Sequence, residues 1–88
     1  MKTILLTGCS GEIGQFISKK LLEKNYKVIG LDKTKPNIKN KKFIFYKQDV
    51  TDENGLKKLF NEFKKKKEKI DILINNAAVS VFTPFLKR

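Results

Sequence analysis

The stretch TGCSGEIG at Thr7–Gly14 constrains the fold more than any other part of the chain. It follows a short continuous apolar run that is typical of a buried strand, and it leads into a segment with apolar residues at helical spacing. Gly8, Gly11 and Gly14 carry no Cβ, so they let the backbone bend sharply and approach a ligand closely. The N–H groups at the start of a helix favour a negative charge. The stretch therefore predicts a phosphate-binding turn between a strand and a helix.

Strands and helices are predicted to alternate along the rest of the chain. We expect strands at Lys2–Thr7, Lys27–Asp32, Lys42–Lys47 and Ile70–Asn75, and helices at Glu12–Asn25 and from a cap at Thr51 or Asp52 to about Lys67. The strands are continuous apolar runs, which are typical of a parallel sheet covered on both faces. Right-handed crossovers then give the strand order 3-2-1-4. The expected fold class is α/β: the truncated half of a doubly wound, Rossmann-type domain with the order β-α-β-β-α-β.

Each predicted helix carries apolar residues at helical spacing, which we expect to form its packing face. On the first helix these residues are Ile13, Phe16, Ile17 and Leu21. On the second helix they are Leu56, Leu59, Phe60 and Phe63. Asn25 is the predicted stop of the first helix, because asparagine tolerates the left-handed conformation found there.

The length and the charge limit the classes of protein. A chain of 88 residues is enough for one small domain, so we treat residues 1–88 as a single partial domain. The net charge of +11 could attract nucleic acid, but 19 of the 20 basic residues are lysines spread along the chain. Only Arg88 is an arginine, the residue on which base recognition largely relies. We therefore predict no nucleic-acid partner.

The sequence gives no indication of a membrane segment or a metal site. No apolar run approaches the length of a membrane span, and the early apolar run is too short for a secretory signal. The single cysteine, Cys9, cannot form an internal disulfide, which favours a reducing, cytoplasmic setting. The chain has no histidine and no cluster of residues with metal-ligand spacing, so we predict no metal.

Asp32 ends the second predicted strand, eighteen positions after Gly14. An acidic residue near this spacing binds the adenosine ribose hydroxyls of a dinucleotide and repels a 2′-phosphate. The spacing therefore favours NAD over NADP as the cofactor. Lys33 follows directly and could weaken this preference by meeting a phosphate. The alternative interpretation of Asp32 is a plain carboxylate at a strand end.

Four stretches of the chain resemble the short-chain dehydrogenase/reductase family, and together they span nearly its whole length. They are TGCSGEIG at Thr7–Gly14, VIGLD at Val28–Asp32, QDVTD at Gln48–Asp52 and DILINNAA at Asp71–Ala78. The last is similar to the family's Asn-Asn-Ala-Gly signature, with Ala78 in place of the glycine. The resemblance implies hydride transfer between a nicotinamide cofactor and a small alcohol or carbonyl substrate.

The resemblance also implies a set of cofactor-binding residues: Gly8, Ser10, Gly11, Ile13, Gly14, Asp32, Asp49, Val50, Asn75 and Ala77. The first four would lie around the pyrophosphate, while Gly14 would allow the helix to pack closely against a strand. Asp32 would bind the ribose, and Asp49 and Val50 would frame the adenine. Asn75 and Ala77 would line the floor beneath the adenosine ribose, and Asn76 would brace the sheet. The alternative for the two asparagines is simple capping of the strand end.

The glycine spacing departs from the standard branch of the family. Where that branch has its middle glycine, this chain has Glu12, and Gly11 comes one place earlier. The resulting Gly-x-x-Gly-x-x-Gly pattern is similar to the extended branch, which includes nucleotide-sugar epimerases and dehydratases. The adjacent Asn75 and Asn76 and the segment TPFLK at 83–87 resemble the standard branch.

The catalytic pair of the family is absent from these residues. Its chemistry uses a tyrosine activated by a lysine four residues later. The two tyrosines here are Tyr26 and Tyr46, and four residues after them stand Gly30 and Val50. We therefore predict no catalytic residue, and we expect the chain to be inactive alone. Tyr26 is predicted to pack at a helix end and Tyr46 on the third strand.

Three hypotheses of function stay open on the sequence. The first is the NAD(P)-binding portion of a short-chain dehydrogenase/reductase whose catalytic residues lie beyond Arg88. The second is a non-catalytic dinucleotide-binding or regulatory module. The third is the N-terminal part of an extended-branch nucleotide-sugar epimerase or dehydratase. An uncovered apolar edge at the fourth strand would in each case favour a homo-oligomer.

Overall fold

The computed structural model of the chain describes residues 1–77, so Ala78 and the TPFLK segment lie outside the described residues. The strands are β1 (Thr3–Thr7), β2 (Lys27–Asp32), β3 (Phe43–Lys47) and β4 (Ile72–Asn75), and the helices are α1 (Glu12–Glu23) and α2 (Glu53–Lys65). The predicted succession of elements is confirmed. Over residues 1–77, no helix has the length and apolar character that crossing a bilayer requires.

The four strands form one parallel sheet with the order β3-β2-β1-β4, as the sequence predicts. β1 lies in the interior, where Leu5 is opposite Ile29 of β2 on one side and Leu73 of β4 on the other. Because the strands are parallel, their carboxyl ends meet at the same end of the sheet. The turns that follow β1, β2, β3 and β4 are therefore gathered there, which is where α/β sheets bind ligands.

One helix covers each face of the sheet. Neighbouring residues of a strand point to opposite faces, so Leu5 packs with Leu56 and Phe63 of α2. On the other face, Leu6 packs with Leu22 of α1. The strands are thus buried on both sides, which explains why they are continuous apolar runs.

The prediction for α2 is confirmed. Leu56, Leu59 and Phe63 are buried, and Phe60 packs against the same cluster while half-buried. The cap is Asp52, whose carboxylate Oδ1 accepts the N–H of Gly55 at 3.1 Å. The cap thus gives one of the first N–H groups of the helix a hydrogen-bond partner.

The predicted packing face of α1 is wrong in its first turns. Ile13 and Phe16 are 66% and 62% exposed. The buried residues are instead Gly14, Ser18 and Leu22, which are four positions apart. Small side chains let this face approach the rest of the fold closely, and the Ser18 hydroxyl donates to the Gly14 carbonyl at 2.9 Å, so this buried hydroxyl has a partner. Further along the helix, the partly buried Ile17 and Leu21 do pack against the core as predicted.

The element ends agree with the predicted ends to within about two residues, as is usual for such boundaries. α1 ends at Glu23, and Asn25 takes the predicted left-handed conformation with φ of 69°. α2 ends at Lys65, and Lys67 is also left-handed, with φ of 56°. These two residues turn the chain from each helix back towards the next strand.

A matched pair of glycine substitutions tests the close approach of α1. A Cβ on Gly14 would clash with the Gly8 carbonyl and lie 2.8 Å from Cys9 Cα, and backbone atoms cannot move aside easily. We expect Gly14→Ala to lower the free energy of unfolding by about 3 kcal/mol. Gly11→Ala has open space, with its nearest atom 3.9 Å away, and should change it by less than about 0.5 kcal/mol. Urea denaturation of both variants checks this, and equal effects would contradict the account.

Candidate functional site

The turn after β1 is fixed by Gly8. Its φ of +67° is a left-handed conformation that side chains disfavour. Its N–H donates to the carbonyl of Leu31 in β2 at 2.9 Å. A Cβ at this position would lie 3.0 Å from Asn76 Nδ2. Gly8 therefore lets the chain turn in the narrow space between the ends of β2 and β4.

The start of α1 presents N–H groups to a ligand. Gly11 is its N-cap, and among residues 1–77 no side chain caps the helix there. The first N–H groups of an uncapped helix have no partner within the helix, and they carry the positive end of its dipole. Glu12 is exposed, so its carboxylate is free to lie in solvent rather than beside an anion. The arrangement suits a phosphate group at the start of α1.

Asp32 joins the glycine turn to the loop after β2. Its carboxylate Oδ2 accepts the N–H of Ser10 at 2.9 Å, and its Oδ1 accepts the N–H of Lys33 at 2.7 Å. The Ser10 hydroxyl donates to the Thr34 carbonyl, which strengthens the same connection. Each oxygen of an ionised carboxylate can accept two hydrogen bonds. Asp32 is therefore held in place and still able to accept hydroxyl groups of a ligand.

Asp49 is held by Thr51. Its Oδ1 accepts the Thr51 hydroxyl at 2.7 Å and the Thr51 N–H at 2.9 Å. These two hydrogen bonds, the hydroxyl first, lower the pKa of the Asp49 carboxyl, so it is ionised near neutral pH. Within the described residues, Oδ2 accepts no hydrogen bond. Asp49 therefore offers one acceptor oxygen to a ligand.

These turns enclose a cleft of about 160 Å³ at the carboxyl end of the sheet. Its lining residues are Gly8, Leu31, Asp32, Lys33, Gln48, Asp49, Val50, Thr51 and Ala77. The lining combines the carboxylates of Asp32 and Asp49 with the partly buried apolar side chain of Val50. Such a lining suits a flat base with a polar edge that is attached to a sugar.

A hydrogen-bond network ties the residues after β4 to the glycine turn. The Thr7 hydroxyl donates to Asn75 Oδ1 at 3.0 Å and accepts the N–H of Ala77 at 3.1 Å. Asn76 Nδ2 donates to the Gly8 carbonyl at 3.0 Å. Asn76 thus braces the ends of β1 and β4 against each other, as the resemblance implies. The same bonds fix the backbone of Gly8 and Ala77, which line the cleft.

The structure brings most of the predicted residues to the same end of the sheet. Those that line the cleft directly are Gly8, Asp32, Asp49, Val50 and Ala77. Ser10 is hydrogen-bonded to Asp32 of the lining, and Asn75 is hydrogen-bonded to Thr7, which also accepts the N–H of Ala77. Gly11, Ile13 and Gly14 lie at the start of α1, outside the cleft lining.

One part of the prediction is wrong, and it misses polar residues of the site, namely Thr7, Gln48 and Thr51. Gly14 makes its close approach to Gly8 and Cys9 of the turn, not to a strand. Thr7 and Gln48 were not predicted for the site. The available signal was their position, since each is a polar residue at the carboxyl end of a predicted strand.

The two tyrosines lie after α1 and on β3, and the cysteine is buried in the glycine turn. Tyr26 follows α1, and Tyr46 lies on β3 with its ring 5.4 Å from that of Phe63, as predicted. Cys9 is buried, and burial raises the pKa of its thiol to about 11, so it is not ionised near neutral pH. A Cβ on Gly30 would lie 2.7 Å from Cys9 Sγ, so this glycine makes room for the thiol. Cys9 is a packing residue beneath the turn.

Comparison with known proteins gives a consistent result. The family model described as short chain dehydrogenase matches residues 2–88. The chain is 34% identical over 90 residues to the 3-oxoacyl-(acyl-carrier-protein) reductase FabG of Buchnera aphidicola, which covers 89% of this chain and 34% of that protein. It is 29% identical over 87 residues to human dehydrogenase/reductase SDR family member 11, covering 86% of this chain and 34% of that protein.

Solved structures give the same comparison in three dimensions. A short chain dehydrogenase from Leptospira borgpetersenii with bound NAD⁺ matches with a TM-score of 0.84 and 36% identity, over 99% of this chain and 35% of the other. A 4-hydroxyisoleucine dehydrogenase complexed with NADH matches with a TM-score of 0.76 and 29% identity, over 83% of this chain and 31% of the other. The chain thus spans about a third of the length of these proteins.

Removing the Thr7 hydroxyl tests the network between β1 and β4. Thr7→Val keeps the shape of the side chain but leaves the Ala77 N–H and the Asn75 side chain without this partner. We expect the free energy of unfolding to fall by about 1–3 kcal/mol. Thr7→Ser keeps the hydroxyl and serves as the control, with a smaller loss. Urea denaturation measures the free energy of unfolding of both variants. A Thr7→Val variant as stable as the unsubstituted chain would contradict the stabilising role of this network.

Burial of Cys9 predicts a dependence of stability on pH. The folded chain raises the pKa of this thiol from 9.0 to about 11, so it favours the protonated thiol. The stability that this preference contributes is complete below pH 9. It is lost as the pH rises towards 11, because the unfolded chain then binds fewer protons than the folded chain. We expect Cys9→Ala to be less stable than the unsubstituted chain by about 1 kcal/mol at pH 7.

The difference in the free energy of unfolding between Cys9→Ala and the unsubstituted chain should narrow between pH 9 and 11. Both proteins carry the same other ionisable groups, so the contributions of those groups cancel in the difference. Thermal unfolding at several pH values measures it. A difference that stays constant over this range would contradict the assigned burial of the thiol.

Proposed function

The chain belongs to the short-chain dehydrogenase family, whose model matches residues 2–88, and we propose on this basis that it binds NAD as the cofactor region of an oxidoreductase. The observation that carries the proposal is the gathering of Gly8, Asp32 and Asp49 around one cleft at the carboxyl end of a parallel sheet. In this family the bound nicotinamide accepts or donates a hydride. The substrate would be a small alcohol or carbonyl compound.

The geometry of this chain supports a dinucleotide. Gly8 leaves no side chain between the turn and the floor of the cleft, and the uncapped start of α1 offers N–H groups to a pyrophosphate. Ser10, Gly11, Ile13 and Gly14 belong to the same turn and first helical turn. Asn75 and Ala77 support the floor through their hydrogen bonds with Thr7. We assign these residues to the pyrophosphate and the adjoining ribose.

The two acidic residues would recognise the adenosine half. Asp32 lies at the end of β2, where its free lone pairs can accept ribose hydroxyls. Asp49 and Val50 line the part of the cleft that would hold the adenine. The negative charge of Asp32 would repel a 2′-phosphate, which is our reason for proposing NAD rather than NADP. Lys33, in the same cleft lining, acts against this preference, so some affinity for NADP is expected.

We expect the catalytic residues to lie in the part of the relatives' length that this chain does not span. The chain by itself should therefore bind the cofactor without dehydrogenase activity. The match to the family model favours neither a non-catalytic module nor an extended-branch enzyme. Association through β4, whose Ile72 is 39% exposed, stays a prediction, as does a cytoplasmic location.

Asp32→Ala tests the proposed cofactor preference. The change removes a charged hydrogen-bond acceptor for the ribose and the repulsion of a 2′-phosphate. We expect the Kd for NAD to rise about tenfold or more, and the difference between NAD and NADP to narrow. Titration calorimetry with each dinucleotide gives both values. Equal NAD affinity before and after the change would reject the assignment.

Asp71→Ala is the matched control. Asp71 also accepts a backbone N–H, from Thr3 at 2.9 Å, but it precedes β4 and so lies at the opposite end of the sheet. We expect this variant to lose stability and to keep the ratio of NAD to NADP affinity. A similar change of the ratio in both variants would mean that Asp32 acts only through stability.

A further inference from the structure

Gln48 connects the two acidic residues of the cleft. It follows β3 directly, and its backbone N–H donates to the Asp32 carbonyl at 2.9 Å. Its side-chain Nε2 donates to the Asp49 carbonyl at 3.0 Å. One residue thus holds the end of β2 with its backbone and the next turn with its side chain. Its own side chain also lines the cleft.

The Asp49 turn depends on a small number of donors. The Asp49 carbonyl accepts Gln48 Nε2 and the N–H of Asp52, both at 3.0 Å, and Thr51 occupies one carboxylate oxygen. The other oxygen, Oδ2, accepts no hydrogen bond within residues 1–77. The position of that oxygen in the cleft therefore depends both on the Thr51 donors to Oδ1 and on how the Asp49 backbone is held. Two side chains donate in this set: Gln48 to the backbone carbonyl of Asp49 and Thr51 to its carboxylate, and the Gln48 donor can be removed by substitution without touching the carboxylate contact.

Gly55 makes room for the Gln48 amide. A Cβ at this position would lie 2.6 Å from Gln48 Nε2 and 2.5 Å from Asp52 Oδ2. Glycine inside a helix costs about 1 kcal/mol relative to alanine, and Gly55 lies within α2. The space needed by the Gln48 side chain gives a physical reason for a glycine at this unfavourable place.

We propose that Gln48 is a positioning residue that sets the distance between Asp32 and Asp49, and so makes the cleft select a base with an amino group over one with an oxo group. The proposal rests on the proposed function, because it takes Asp49 as the residue that faces the base. An ionised carboxylate accepts a hydrogen bond from an amino group, whereas an oxo group at the same place is a second acceptor and is disfavoured. The selection holds only while Oδ2 stays at the right distance from a base whose ribose is bound by Asp32.

The test compares NAD with nicotinamide hypoxanthine dinucleotide, in which the 6-amino group of the adenine is replaced by an oxo group. Titration calorimetry gives the Kd of each for the full chain. We expect the chain to bind NAD about tenfold more tightly than the analogue. We expect the ratio to fall to about twofold or less in Gln48→Met, which keeps the length of the side chain but not its N–H group.

Gly55→Ala displaces the Gln48 side-chain amide without replacing Gln48 itself. The new Cβ would meet the Gln48 amide and the Asp52 carboxylate, which are side chains rather than backbone, and alanine favours the helix, so the variant should fold. We expect this variant also to lose most of the preference for NAD over the hypoxanthine analogue. Asp52→Ala is the control, since it removes the helix cap and leaves both Gln48 and Gly55 in place. It should lose stability and keep the ratio.

The outcomes separate the positioning role of Gln48 from the proposed binding of a dinucleotide. If Gln48→Met and Gly55→Ala keep the ratio, or if Asp52→Ala loses as much, Gln48 has no positioning role. If the unsubstituted chain binds both dinucleotides equally, Asp49 does not distinguish the bases, and the inference is wrong while dinucleotide binding stands. If the chain binds neither, the proposed function is wrong and the inference with it.

Discussion

The chain leaves β1 through Gly8 in a left-handed conformation, and the other parts of the site are positioned relative to this turn. The Gly8 N–H binds the Leu31 carbonyl of β2, and the Gly8 carbonyl accepts the amide of Asn76 after β4. A clash with that carbonyl is also what a side chain at Gly14 would meet. One backbone conformation thus sets how closely α1 approaches and how the ends of β2 and β4 lie. A residue with a side chain would disturb all three contacts together.

The electrostatics of the site differ from those of the chain as a whole. A net charge of +11 favours encounter with an anionic ligand such as a pyrophosphate. Yet the cleft itself contains two carboxylates, held by N–H and O–H donors rather than by lysines. The ion pairs found among residues 1–77 use other acids, namely Glu23, Glu68 and Asp71. Asp32 and Asp49 therefore keep their charge available to the hydroxyl and amino donors of a ligand.

The sequence predicts the elements and the strand order well, because both depend on local patterns. Continuous apolar runs mark buried parallel strands, and Asn25 and Asp52 mark helix ends through their own chemistry. The packing face of α1 was predicted wrongly for a different reason. Counting apolar residues selects Ile13 and Phe16, whereas the shape of the Gly8 turn selects the small Gly14 and Ser18. Gln48 was missed because its partners are backbone carbonyls and a glycine in the next helix, which are brought together only by the fold.

The central claim is that a dinucleotide binds at the carboxyl end of the sheet, and an NMR titration of the ¹⁵N-labelled chain with NAD tests it most directly. We expect the amide signals of Gly8, Gly11, Asp32 and Asp49 to shift with a common Kd. The signals of Lys27, the first residue of β2, and Asp71, which precedes β4, come from the opposite end of the sheet and should stay in place. Shifts confined to the separate groove between α1 and the loop at Asn37–Asn40, or no shifts at millimolar NAD, would contradict the account.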